Sequence, residues 1–230
     1  MGRVLGADAC RSGWVGVCLS SKAPTVWFGT AIAGLVAQVT NEGPLDAVAI
    51  DIPIGLPTDD VRAADAAARR MLGRRGAAVF TTLVRQAYEA DDYTAASAAQ
   101  LAATGQSATR QAYGLRAKIL DVDEWLSTPA GQGLRVVECH PEISFMAMND
   151  GSPVAAGKKT WSGVMRRMEL LTRQGIDLDG DLGRAGREGA PDDVLDAAAA
   201  AWTARRFAVG MASVVPTQLD KPRDTAVIHY

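Results

Sequence analysis

Acidic residues are set into this chain at four places: Asp8 in VLGADA, Asp51 in AVAIDIP, Glu138 in RVVECHPE, and Asp192, Asp193 and Asp196 in PDDVLDAAAAAW. Three of these stretches lie inside or at the end of apolar runs. Moving an ionised carboxylate out of water costs on the order of several kcal/mol unless a partner compensates it. A fold for this chain must therefore bring these acids to a counter-charge. Strands that carry acids toward one another commonly share a cation.

Asp196 is the strongest single candidate. From Val194 to Ala204 the chain reads VLDAAAAAWTA, apolar nearly all round, so the helix it predicts is buried on most sides. Asp192 and Asp193 follow Pro191 in the first turn, where acids favour a helix N-terminus through its dipole. Asp196 lies a turn further in, beyond that effect. Residues three and four apart share a helical face, so Asp196 projects beside Asp193 or Asp192. Two carboxylates ~4 Å apart repel by about 4 kcal/mol at an effective dielectric of about 20, which a divalent cation would reverse.

The other acids each have two readings. Asp51 stands at a strand end just before Pro53, where α/β proteins place ligands, or it accepts hydrogen bonds from loop amides. Asp8 lies in the first strand. Gly6 and Gly13 flank it, but neither GxGxxG nor GxxxxGK[ST] is present, so a metal ligand fits better than a phosphate loop. Glu138 closes a strand, with His140 and Glu142 on a turn set by Pro141. Acid and imidazole both bind metals or move protons near neutral pH, or His140 is a hydrogen-bonded turn residue. Glu142 reads as solvent-facing. With only His140 and His229 in the chain, a zinc site built from histidines alone is excluded.

Composition sets the limits. The 230 residues are 48% hydrophobic, enough for a substantial core, and point to one domain with an insertion. A net charge of -2 supplies no broad field for a nucleic acid or an anionic membrane, so any basic surface is local. Three cysteines without a CxxC pair argue against a disulfide framework and a structural zinc, and toward a cytosolic, reducing setting. No apolar run reaches the length that crosses a bilayer, and the chain is expected to be cytoplasmic, neither secreted nor membrane-spanning.

Residues 3–20 predict a hairpin turning at Gly13, and Val26–Thr30 a third strand. A helix over Ala31–Thr40 and a buried strand over Leu45–Ile54, ended by Pro53 and Pro57, complete an α/β opening. Residues 58–133 change character and predict a helical insertion, with helices near 60–73, 84–103 and 108–127 broken at Gly73, Gly76 and Gly105. A strand at Leu134–Cys139, a helix near Lys159–Gln174, a Gly-rich loop at 175–190 and a last helix from Pro191 to Val209 follow. The closing TAVIHY predicts a short edge strand. The insertion carries Arg62, Arg69, Arg70, Arg74 and Arg75, a run that reads as a solvated helix face in which Asp65 pairs with Arg62 or Arg69, or as a cradle for a phosphate backbone. Lys158, Lys159, Arg166 and Arg167 form a second basic group, in which Lys159 is the candidate to neutralise charge near the acids.

In this order the elements resemble the RNase H-like fold: an antiparallel three-stranded opening with the first Asp, a parallel strand with the second acid, and a late helix with the last. Asp8, Asp51 and the pair Asp193 and Asp196 match those positions, and DDVLDAAAAAWTA is similar to the closing helix of Holliday-junction resolvases. More narrowly, GADACRSGW, AIDIPIGLP, VVECHPE, the segment Lys158 to Thr160 and PDDVLDAAAAAWTA resemble the domain of unknown function 429 family, predicted RNase H-like nucleases. The resemblance implies a mixed sheet flanked by helices and a metal-dependent phosphodiester hydrolase. Asp8, Asp51, Glu138, Asp192, Asp193 and Asp196 would hold one or two Mg²⁺ or Mn²⁺ ions, with Lys159 or His140 assisting. A nucleic acid or a small phosphodiester would be the partner. An insertion covering the cleft favours a small or single-stranded substrate over a duplex. Two other readings stay open: a phosphotransferase related to actin-like ATPases and sugar kinases, and a non-catalytic module whose acids hold a structural cation.

Overall fold

The computed structural model describes residues 2–217 and 226–230. Its first strands, β1 (Val4–Cys10), β2 (Gly13–Leu19) and β3 (Thr25–Gly29), form an antiparallel meander. Helix α1 (Ile32–Thr40) leads to β4 (Ala47–Ile50), which pairs parallel to β1. The segment that follows contains α2 (Ala63–Leu72), a 3₁₀ turn (Gly73–Ala78), α3 (Arg85–Glu89), α4 (Tyr93–Thr104), α5 (Arg110–Gly114), α6 (Arg116–Leu126) and α7 (Pro129–Gln132). Strand β5 (Val136–Glu138) then joins β4 in parallel, giving the sheet order β3-β2-β1-β4-β5. Helices α8 (Pro141–Met148), α9 (Trp161–Arg173), α10 (Gly183–Glu188) and α11 (Pro191–Ala208) complete the main body, and β6 (Val214–Val215) pairs with β7 (Ile228–His229). Three antiparallel strands followed by two parallel ones, flanked by helices, agree with the RNase H-like arrangement that the resemblance implies.

Strand alternation divides the core in two. Leu5, Ala7, Val48 and Ile50 face α1 and the insertion, whereas Val4, Ala47, Ala49, Val137 and Cys139 face α11 and its neighbours. Helix α11 lies close on the sheet because both surfaces are small. In the run of five alanines, Ala197 to Ala201, the backbone of Ala197, Ala200 and Ala201 meets β1 at Gly6, where an added Cβ would stand 1.9 Å from the Ala201 amide nitrogen and 2.3 Å from the Ala197 carbonyl oxygen.

Several boundaries differ from the expectations. The predicted helix over 84–103 is two helices, because Asp92 caps α4 by accepting from the Ala95 amide at 2.8 Å. The helix over 108–127 divides similarly, after Gly114. The turn assigned to Pro141 is instead the start of α8, with proline at the first helical position and every residue but Ala147 buried. Glu142 is thus buried rather than solvent-facing. The loop over 175–190 contains α10. The expected C-terminal edge strand is present as β7; residues 218–225 of that tail, Thr225 among them, lie outside the described residues. All three cysteines are free and buried.

The close approach at Gly6 makes a direct prediction. Gly6→Ala should lower the free energy of unfolding by about 3 kcal/mol in a urea titration, since a methyl there collides with backbone that cannot rotate away. A loss within about 0.5 kcal/mol, the range of neutral surface changes, would contradict the packing described.

Candidate functional site

Register explains why two of the acids meet. In the parallel ladder Ala7 pairs with Ile50, and the Asp51 N–H continues it by donating to the Ala7 carbonyl at 2.9 Å. Asp8 and Asp51 are therefore the next matched pair, on the same face of the sheet. That face is covered by α11, whose seat over Gly6 sets Asp196 above the two strand ends. One carboxylate oxygen from each of Asp8, Asp51 and Asp196 lies within 4.8 Å of the others. Asp8 and Asp196 are buried and Asp51 is half-buried.

The electrostatics follow from that crowding. Burial pushes Asp8 well above the usual carboxylate range, and the charges of Asp51 and Asp196 push it further. Burial likewise raises Asp51 and Asp196, each to about 7, against the pull of Lys158. The Lys158 Nζ donates to Asp196 Oδ2 at 2.6 Å and stands 3.6 Å from Asp192 Oδ2. Burial alone would lower the Lys158 ammonium, but Asp196, Asp8 and Asp51 hold it above its ordinary value. Lys158 sits on a turn that is itself pinned. Thr160 caps α9 and donates to the Gly157 carbonyl, while the fully buried Arg167 donates to the Ala156 carbonyl.

The remaining predicted residues take different places. Glu138 pairs in register with Ile50, one residue short of Asp51, so its side chain leaves the opposite face of the sheet. There its Oε2 accepts from the Ile54 amide at 2.7 Å and from Arg62 Nη2 at 2.5 Å. Asp193 lines the same cavity as the three acids and accepts from the Ala190 amide at 2.9 Å, at the helix N-terminus where its position suggested a favourable dipole interaction. Asp192 reaches the site only through Lys158. Lys159 is exposed, and its neighbour Lys158 is the lysine beside the acids. His140 lies on the cavity wall, where burial lowers its imidazole pKa and leaves it neutral near pH 7. Cys139 shares the face of Asp51, but burial and the Asp51 charge keep its thiol protonated.

The arginine run is solvated only in part: Arg70 and Arg74 are exposed, whereas Arg62 is buried and makes the expected pair with Asp65. Arg62 and Asp65 are buried, 3.8 Å apart, and Arg62 also donates to Thr82 Oγ1 while the Thr82 amide donates to Asp65. Arg69 donates to the Val79 carbonyl. These bonds clamp the insertion against the end of β5, and the insertion forms one wall of a cavity of about 360 Å³. Asp8, Asp51 and Asp196 line that cavity together with Arg75, Phe80, Gln111 and Leu115 of the insertion.

A pH dependence follows from the raised acids. A carboxyl whose folded pKa stands above its unfolded value of about 4 binds its proton more tightly when folded, so stability falls as pH climbs from there through about 7. The melting temperature of metal-free protein should thus drop between pH 5 and pH 8. Asp51→Asn should flatten the drop by removing one of the mutually repelling charges. An unchanged slope in that variant would contradict the crowding of the three acids.

Comparison with known proteins adds one match. A protein-family model described as Protein of unknown function (DUF429) matches residues 6–221, a span that holds Asp8, Asp51 and Asp196, Lys158 and the whole insertion. No curated protein and no solved structure matches the chain. A match that takes in both the sheet and the covering helices is a match to the chain as a whole, which belongs to the DUF429 family.

Proposed function

We propose that this protein is a divalent-cation-dependent phosphodiesterase, in its specific form a nuclease. The observation that carries this reading is the convergence of Asp8, Asp51 and Asp196, with ligand oxygens within 4.8 Å of one another at the wall of an accessible cavity. The donor set fits Mg²⁺ or Mn²⁺, since three carboxylates offer hard oxygen ligands and too much negative charge to remain together uncompensated. A bound cation would polarise a phosphoryl oxygen and lower the pKa of a coordinated water.

The chain's own residues supply the rest. Asp8 and Asp51 are fixed by the β1–β4 ladder and Asp196 by the seating of α11, so the ligand geometry is set by the fold rather than by a loop. Lys158 holds the orientation of Asp196 and balances part of the charge. His140, neutral near pH 7, is in the form that accepts a proton. The insertion wall narrows the approach to the acids, which favours a single strand or a small phosphodiester over a duplex roughly 20 Å across, the scale of a double helix with grooves about 12 and 6 Å wide.

Cleavage of labelled single-stranded, duplex and hybrid substrates in Mg²⁺ and Mn²⁺ tests this reading. Asp196→Asn should reduce turnover by more than about a hundredfold, since even residues behind the ligands are worth ten- to a hundredfold in metal sites. Its circular dichroism spectrum should match the wild type. Full metal-dependent turnover in that variant would overturn the assignment, and melting-point stabilisation by metal without turnover of any substrate would favour a cation-binding module.

A further inference from the structure

We propose that Arg75, on the insertion, is the substrate's phosphate-binding residue, an inference that rests on the phosphodiesterase reading and names a partner for the acids in the same cavity. The starting observation is an imbalance of charge around Glu142. This buried carboxylate is already satisfied by the fully buried Arg167, whose Nη2 stands 2.8 Å from Oε1 and 2.9 Å from Oε2. Arg75 Nη2 adds a second guanidinium at 3.0 Å from Oε1. Two arginines share one carboxylate, so one positive charge is left over.

Arg75 is the one able to use it. Arg167 is enclosed, and its remaining hydrogen bonds hold the Ala156 and Gly163 carbonyls. The Arg75 side chain is 30% exposed and lines the cavity that also contains Asp8, Asp51 and Asp196. Its Nε is buried without a hydrogen-bond partner among the described residues. A guanidinium carries five N–H donors in a planar fork that matches two phosphate oxygens, and Glu142 engages Arg75 through Nη2 alone.

The position has a chemical logic. Acids that gather a cation repel the anionic substrate, and a guanidinium lining the same cavity offsets that repulsion. Arg75 lies in the 3₁₀ turn Gly73–Ala78, and Phe80, just beyond that turn, lines the same cavity. The insertion would in this way contribute to binding as well as cover the cleft.

Calorimetric titration of inorganic phosphate and of a nucleoside 5′-monophosphate, each with and without Mn²⁺, tests the proposal on wild type, Arg75→Gln and Arg75→Lys. A parallel Mn²⁺ titration includes Asp196→Asn. Arg75→Gln should weaken binding of both anions more than tenfold while leaving Mn²⁺ affinity and melting temperature near wild type, a pattern that a merely structural Arg75 would not give. Tighter binding of the monophosphate than of phosphate would mark a nucleotide as the source of the anion, with Arg75 needed for both. Should Arg75→Gln fail to fold, Arg75→Lys decides, because it keeps the charge beside Glu142 and loses the fork: a loss of threefold or more supports the proposal. Anion binding unchanged in the variant that folds, or no anion binding by wild type, would overturn it. The phosphodiesterase reading is judged separately, by whether Mn²⁺ binds wild type and fails to bind Asp196→Asn.

Discussion

Three carboxylates held within 4.8 Å of one another beneath a helix repel, and the arrangement of this site follows from how that repulsion is managed. Each pair at such a distance costs roughly 3 to 4 kcal/mol at an effective dielectric of about 20, before the cost of burial itself. One lysine, Lys158, meets Asp196 directly and cannot neutralise three acids. Burial first, and for Asp8 and Asp196 the neighbouring acid charges as well, raise the carboxyls above their usual range, so protons complete the balance as pH falls. A divalent cation does the same work at neutral pH without protonating the ligands.

The fold keeps the acids together by packing rather than by pairing. Parallel register sets Asp8 beside Asp51, and the alanine face of α11 seats on Gly6 closely enough to bring Asp196 down to them. Elsewhere each buried acid has a guanidinium beside it: Arg62 serves both Glu138 and Asp65, and Arg167 with Arg75 serves Glu142. Those pairs tie the insertion to β5 and the Lys158 turn to α8. Three acids that share the single Lys158 stand out against acids that each meet a guanidinium, and such crowding is characteristic of a site shaped for a ligand.

Much of this was legible in the sequence because an acid in an apolar run has few explanations. Asp8, Asp51 and Asp196 each lie in such a run, and the order of strands and helices around them followed from hydrophobic patterning. Glu138 was harder to place. Val136, Val137 and Cys139 are apolar on both faces of the strand, so alternation gave no sign that Glu138 points away from Asp51. Lys158 and Lys159 are adjacent and chemically alike, and only the turn between Gly157 and Thr160 selects one of them. The burial of Arg62 depends on a partner 76 residues away, which no local pattern reveals. The signals for α8 and α4 were present, in Pro141 at a first helical position and Asp92 at a cap, but Pro141 also reads as a turn residue and Asp92 fell inside the helix expected over 84–103.

The central claim is that Asp8, Asp51 and Asp196 form one cation site, and Mn²⁺ binding followed by electron paramagnetic resonance tests it most directly. Wild type at pH 8 should remove free Mn²⁺ from solution saturably, and Asp8→Asn and Asp51→Asn should each weaken that binding at least tenfold, the least effect expected of a lost ligand. Saturable binding that survives both substitutions would place the cation elsewhere, and no binding by wild type would mean that the three acids share protons and Lys158 alone.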